Sequence, residues 1–485
     1  MRALITAFAI ILLGLAAVLG VGLLRLPAAV GSSVTATPLA VDADAAAARL
    51  AAAVRIATVS PSADAANDAA FAALAALLRS QYPRVHATLG VETVGAHGLL
   101  YRWAGRDASL PPVLMLAHQD VVPVDGASRW QHAPFSGDIA DGYIWGRGTL
   151  DDKGSLIAQL EAVEALLAQG YVPRRTLYFA FGHDEESGGD DGAGRIAALL
   201  KDRGIRARFA VDEGGAITRG VVAGVSAPVA SIMVAEKGYV SFELRTHERG
   251  GHSSMPPAVT AIGRLARAVA RLEAQPMPAH LTPATATMLE TLAPRLPFVQ
   301  RLAIANRWLF EPLLLRQFAR QPVTDALIRT TTAPTVFRAG VKDNVLPGEA
   351  LAIVNFRLLP GDTIADVERH IVGTIADPAV DVRAQQKFAN EASPASDGHG
   401  PGFALLRDSI AAVYPDAVTV PGLVVGATDL RHYAEVVDER CNFLPGRLDA
   451  RDLERIHGTD ERIAVSEFAG MVRFYADLLR RASAS

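Results

Sequence analysis

Cysteine is all but missing from this 485-residue chain: Cys441 stands alone. One thiol excludes an internal disulfide framework and a thiolate metal cluster, so sulfur drops out of any account of cross-linking or ligation. Cys441 itself reads as a small buried hydrophobe. An excess of charge is lacking too. The net charge is −4 and no basic run is interleaved with aromatics, which gives no reason to expect nucleic acid as a partner. Half of the residues are hydrophobic and 20% are charged, a globular composition rather than a disordered one. At this length one core is not enough, and two or more domains are expected.

One long apolar run is present. Ala3 to Leu24 carries no charge, follows Arg2 and is closed by Arg25. Its length suits the ~20 residues that a membrane-spanning helix needs. Val34-Thr35-Ala36 offers small residues to a signal peptidase, but the apolar core is long for a cleaved peptide, so an anchor is favoured. Residues 1–40 are read as an anchor or signal with its linker. The rest of the chain is expected outside the cytoplasm, membrane-anchored or secreted, and periplasmic in a bacterial cell.

From Val41 the pattern alternates. Helical spacing covers Asp44 to Ala57, Asp64 to Ser80, Ser155 to Gln169 and Gly192 to Arg203. Short continuous apolar runs occupy Val113 to Ala117, Thr176 to Gly182 and Arg208 to Val211. This predicts an α/β domain with a mostly parallel sheet covered by helices. Ligands of such sheets bind beyond the carboxyl ends of the strands. A second unit begins near Glu236. Its order is strand Tyr239 to Thr246, helix Pro257 to Glu273, strands Thr335 to Val341 and Leu351 to Leu358, helix Ile364 to Val372 and strand Val380 to Lys387. That is the ferredoxin-like βαββαβ arrangement. The expected division is 41–235 and 389–485 for the two parts of the sheet domain, with 236–388 inserted as a lid or dimerisation domain. An extra stretch, 283–329, repeats Phe298, Leu302, Leu309, Leu313 and Phe318 at helical spacing, beside Trp308 and Phe310. It reads first as a helix packed on the core or on a partner subunit, and more sharply as a lid.

His118, Asp151, Glu186, Asp212 and His457 occur in that order, with Glu185 beside them. Their carboxylates and imidazoles exceed what one zinc uses. They suit two ions sharing a bridging carboxylate, with Glu185 left over as acid and base. Asp120, two residues after His118, is placed to hold the other ring N–H. Asp151 starts a helix where it could bridge, and Asp152 reads as a helix cap.

Several short motifs carry a resemblance. They are His118-x-Asp120, Gly146-Arg147-Gly148-x-x-Asp151-x-Lys153-Gly154, Asp184-Glu185-Glu186-x-Gly188-Gly189, Asp212-Glu213-Gly214-Gly215, Gly251-His252-Ser253-Ser254-x-Pro256 and Ile456-His457-Gly458-x-x-Glu461. In this order they resemble the M20 metallopeptidase family, nearest its carboxypeptidase S-like branch, from about residue 45 onward. The resemblance implies one zinc on His118, Asp151 and Asp212 and a second on Asp151, Glu186 and His457, with cobalt or manganese able to fill the same sites. It implies Glu185 as general base and then acid. It also implies that His252 reaches across a dimer interface to the oxyanion, which makes a homodimer the working unit. Asn344, Arg357 and the Gly426-Ala427-Thr428-Asp429 turn match substrate-binding positions. The expected activity is cleavage, and possibly formation, of the amide bond of N-acyl amino acids with long acyl chains. A carboxypeptidase acting on small peptides is the alternative, and a catalytically dead binding protein a third reading.

Overall fold

The computed structural model describes residues 1–27, 34–60, 65–396 and 398–484. The expected helix start at Asp64 lies outside the described residues; the helix itself spans Ala65–Gln81.

Among the described residues the larger sheet has ten strands. Its centre is parallel: Leu177–Gly182 pairs with Val113–His118, which pairs with Ala207–Asp212, which in turn pairs with Val437–Asn442. An antiparallel hairpin of Gly90–Val94 and Gly98–Trp103 closes one edge. The continuous apolar runs follow from burial on both faces. Along Val113–His118, Val113, Met115 and Ala117 pack into a core under the helices Lys153–Ala168 and Val465–Ala484. Leu114 and Leu116 point the other way, toward Ile196 and Leu200 of the helix Ala193–Asp202. This period of two is the strand's own geometry.

The smaller sheet is antiparallel in the order Thr331–Ala339, Glu349–Leu358, Gly238–His247, Val380–Asn390. Helices Ala261–Ala274 and Ile364–Ile375 cover one face, which completes the ferredoxin-like architecture. On Glu349–Leu358 only alternate residues, Ala350, Ala352, Val354, Phe356 and Leu358, join that core. Buried Lys237 sits where the chain enters this sheet, and its Nζ donates to the carbonyls of Ala326 (3.0 Å) and Arg329 (2.8 Å).

The stretch 283–329 is not one continuous helix. Pro283–Leu292 packs through Leu292 on Val418 and Val420 of the larger sheet. Helices Phe298–Ala305 and Arg307–Phe318 follow, broken at Asn306. Phe298, Leu309 and Leu313, expected to pack on the core or on a partner subunit, are exposed in the single chain.

Candidate metal centre

Strand register brings the chemistry to one rim. His118 lies opposite Gly182, and Asp212 lies opposite Asn442. Glu185 and Glu186 follow Gly182 in a short turn. Asp151 and Asp152 stand at the start of the helix Lys153–Ala168, joined by a cis peptide bond. Asp152 occupies the N-cap position but makes no side-chain capping bond, contrary to expectation.

Asp151 turns one carboxylate oxygen to each imidazole. His118 Nε2 is 2.9 Å from Asp151 Oδ1, and His457 Nε2 is 2.9 Å from Asp151 Oδ2. Glu186 Oε2 is 3.2 Å from His457 Nε2, and Glu213 Oε1 is 3.6 Å from His118 Nε2. His118-Asp151-Glu213 and Asp151-Glu186-His457 therefore form two donor groups that share one residue, and Glu185 stands with Glu186 beside His118. His118 Nδ1 donates to the Asp120 carbonyl at 3.0 Å and has the Asp120 carboxylate 3.3 Å away. That bond leaves Nε2 facing the cluster. The Asp120 carboxylate also accepts the N–H groups of Glu185 and Glu186, at 3.2 Å each, so it orients the two residues together.

The donor set fits cations. Burial pushes the Glu185 and Glu213 carboxyls well above the usual range; His118 opposes this at both, and the charge of Asp151 adds to it. Hydrogen bonds to Asp151 and Glu186 push His457 up to about 10. Glu186 Oε1 is buried without a hydrogen-bond partner. Buried carboxylates facing two imidazoles call for positive charge, and an oxygen and nitrogen set without sulfur suits zinc, cobalt or manganese.

Asp212 is not in this cluster. Its Oδ1 accepts the Glu213 N–H at 3.0 Å and its Oδ2 accepts the Leu430 N–H at 2.9 Å, so backbone amides hold the carboxylate that was expected at the ion. The next residue, Glu213, reaches His118 instead. His457 has φ 59°, a left-handed conformation uncommon for a residue with a side chain. Arg147 Nη2 donates to its carbonyl at 3.2 Å and to that of Gly458 at 2.9 Å, which holds the turn.

The remaining expected residues fall in three places. His252 and Asn344 lie together on an exposed ribbon in which Gly251–His252 pairs with Val345–Leu346. His252 Nδ1 accepts from the Ser254 N–H and hydroxyl, which leaves Nε2 as the outward N–H. Among the described residues no hydrogen bond or ion pair joins this ribbon to the metal cluster. Thr428 is buried, its hydroxyl donating to Glu236 Oε1 at 2.6 Å and accepting from Asn442 Nδ2 at 2.9 Å. Gly426 stands in open space after Val418–Val424. Arg357 lies 4.7 Å over the ring of Tyr239; burial lowers its pKa, and nearby Arg431 lowers it further. Arg431 was not anticipated. It lines a cavity of about 480 Å³ with Gly188, Lys237, Phe388, Asn390 and His432, between the two sheets.

The fold and this rim define a metal-dependent hydrolase. The chain belongs to peptidase family M20/M25/M40, whose sequence pattern matches residues 114–481, and it is an enzyme acting on amide bonds. It is 41% identical over 437 residues to the N-fatty-acyl-amino acid synthase/hydrolase PM20D1 of Homo sapiens, covering 89% of this chain and 87% of that one. It is 42% identical over 407 residues to a probable carboxypeptidase S-like 2 of Dictyostelium discoideum, covering 83% and 78%. In fold it is similar to the M20 family metallo-carboxypeptidase Sso-CP2 from Sulfolobus solfataricus. That match has a TM-score of 0.67 at 17% identity and covers 91% of this chain and 99% of the other.

Proposed function

We propose that the chain is a dizinc amidohydrolase that cleaves, and in reverse forms, the amide bond between a long-chain fatty acid and the nitrogen of an amino acid. The observation that carries this reading is Asp151, whose two oxygens face His118 and His457 with Glu185 alongside. His118, Asp151 and Glu213 would hold one ion, and Asp151, Glu186 and His457 the other. Bound there, the ions supply Lewis acidity and a lowered pKa for water.

The chain's own residues do the rest. Glu185 takes a proton from water as its oxygen adds to the amide carbonyl carbon. Glu185 then delivers that proton to the nitrogen as the C–N bond breaks, freeing a fatty acid and an amino acid. Asp120 keeps His118 and the backbone of Glu185 in place. Arg431 in the cavity wall, with Arg357 close enough to feel its charge, supplies the positive field for the carboxylate of the amino acid. His252, outward on its ribbon, suits a role in trans in a homodimer. The N-terminal helix, apolar over Leu4–Leu24, reads as an anchor that leaves the enzyme outside the cytoplasm beside its lipid-like substrates.

The PM20D1 relatives in several vertebrates support the acyl-amino-acid substrate. The carboxypeptidase S-like relatives keep peptide trimming as the second reading. The test is to load purified protein with zinc and to compare N-oleoyl-phenylalanine with short dipeptides. A higher kcat/KM on the acyl amino acid is expected; preference for dipeptides rejects the assignment in favour of the carboxypeptidase.

A further inference from the structure

The helix pair Phe298–Ala305 and Arg307–Phe318 has two faces of different character. Its inner face closes a small apolar cluster in which Ile304, Leu314 and Phe318 meet Leu289 and Ala293. Leu26, just past the N-terminal helix, packs into the same cluster. The joint between the two helices is Asn306, which is buried. Its Nδ2 donates to the Leu302 carbonyl at 3.0 Å and, across the contact, to the Leu19 carbonyl at 3.1 Å. Gly22 permits that approach, since a Cβ there would lie 2.4 Å from Asn306 Oδ1. The pair is therefore docked on the last turns of the 21-residue apolar helix, whose apolar window is otherwise 0% buried.

The outer face is apolar and uncovered. Phe298 is 59% exposed, Val299 74%, Trp308 66% and Leu313 60%. A cluster of this size and type marks an interaction surface, not scattered surface hydrophobes. Arg316 and Arg320 flank it exposed, whereas Arg307 is paired with Glu290 at 2.6 Å and Arg301 lies over the Phe298 ring; Glu311 is the single acidic residue within 298–320. Tryptophan with flanking arginine is the composition of an element seated at a membrane interface, the ring at headgroup level and the guanidinium groups on phosphates.

We propose that this helix pair is a membrane-surface foot: its outer face lies in the anionic phospholipid interface of the bilayer crossed by the N-terminal helix. The proposal rests on the reading of that helix as a retained anchor. The depth agrees. At 1.5 Å per residue Leu19 lies about 7–8 Å before the end of the helix, within the roughly 5–10 Å that interfacial helices reach. Continuity with the anchor and the cationic flank together favour lipid over a second protein. A foot on the bilayer would hold the enzyme body at a fixed height over the membrane that stores acyl chains.

The test uses the full chain in phosphatidylcholine and phosphatidylglycerol vesicles, with and without bromine on the acyl chains. Trp103, Trp130 and Trp145 are buried, so Trp308 is the tryptophan that brominated lipid can reach. The expected result is loss of up to about a quarter of the emission, the share of one tryptophan in four, and no loss in Trp308→Phe with zinc content unchanged. Protein that floats with the vesicles but shows no Trp308-dependent quenching overturns the foot and leaves the anchor standing. Protein that does not float overturns both. Disulfide-linked pairs formed by Trp308→Cys in the bilayer would assign the face to a second copy and overturn the lipid contact.

Discussion

Arg147 and Glu461 form a buried ion pair, Nη1 to Oε2 at 2.7 Å, that holds both halves of the metal rim. Glu461 Oε1 accepts the N–H groups of Gly148 (3.0 Å), Leu150 (2.8 Å) and Asp151 (3.2 Å), while Arg147 holds the carbonyl of His457. Gly148 has φ 91°, a conformation that glycine adopts without strain and that presents its N–H to Glu461. Asp151 and His457 are thus set in one frame by a pair that belongs to neither donor group.

Glu461→Ala leaves the Arg147 charge buried and unpaired. The expected cost is about 3–5 kcal/mol, read as a lowered denaturant midpoint, together with weaker zinc binding in a competition titration. Glu461→Gln keeps the shape and is expected to fall between the two. An unchanged midpoint in Glu461→Ala would remove the clasp from the account.

Glu185→Gln tests the proton carrier. The turn and its amides on Asp120 remain, so zinc content should equal that of the wild type. The turnover number should fall by about 10²–10⁴. Steady-state kinetics alongside metal analysis separates this result from a loss of metal.

Glu213 and Asp212 make opposite predictions although they are neighbours. Glu213→Gln should reduce bound zinc to about one ion per chain, measured by plasma mass spectrometry after dialysis. Asp212→Asn should keep its zinc but lose about 1–3 kcal/mol of stability, because it weakens the charge-assisted bond to the Leu430 amide. The reverse pattern would return Asp212 to the ion.

Lys237 gives a pH signature. Burial lowers its pKa from 10.5 to about 8. The folded state therefore releases its proton earlier than the unfolded chain. The stability tied to this group is present above 10.5 and is lost as pH falls through about 8. Relative to Lys237→Met, the wild type should gain up to about 3 kcal/mol between those limits, measured by urea denaturation across the range.

The strand and helix alternation was legible because it is local. Val113–His118 and Leu177–Gly182 are continuous apolar runs ending at His118 and at the turn to Glu185, and the strand ends alone brought His118, Glu185 and Glu186 to one rim. Glu349–Leu358 was legible as a strand, but its single covered face shows only in the burial, because Ala350 to Val354 are all apolar. What stayed hidden depends on contacts far along the chain. The Leu430 amide on the Asp212 carboxylate is one such contact, and the amides of the Asp151 turn on Glu461 are another. Arg431 comes near Arg357 only once Glu349–Leu358 and the turn after Val418–Val424 have been placed. The break at Asn306 was readable in principle, since asparagine is a poor helix former. The outward turn of Trp308 and Leu313 was not, because an apolar stripe carries no label saying which solvent it meets.

The position of Val437–Asn442 in the larger sheet bears on biosynthesis. It lies between Ala207–Asp212 and Val229–Glu236, so a nascent chain that has already produced the whole smaller sheet still carries an open edge at Ala207–Asp212. An open edge is a template for another chain. Premature termination before Val437 would yield an aggregating fragment instead of a half-active enzyme, and quality control during synthesis must cover this interval.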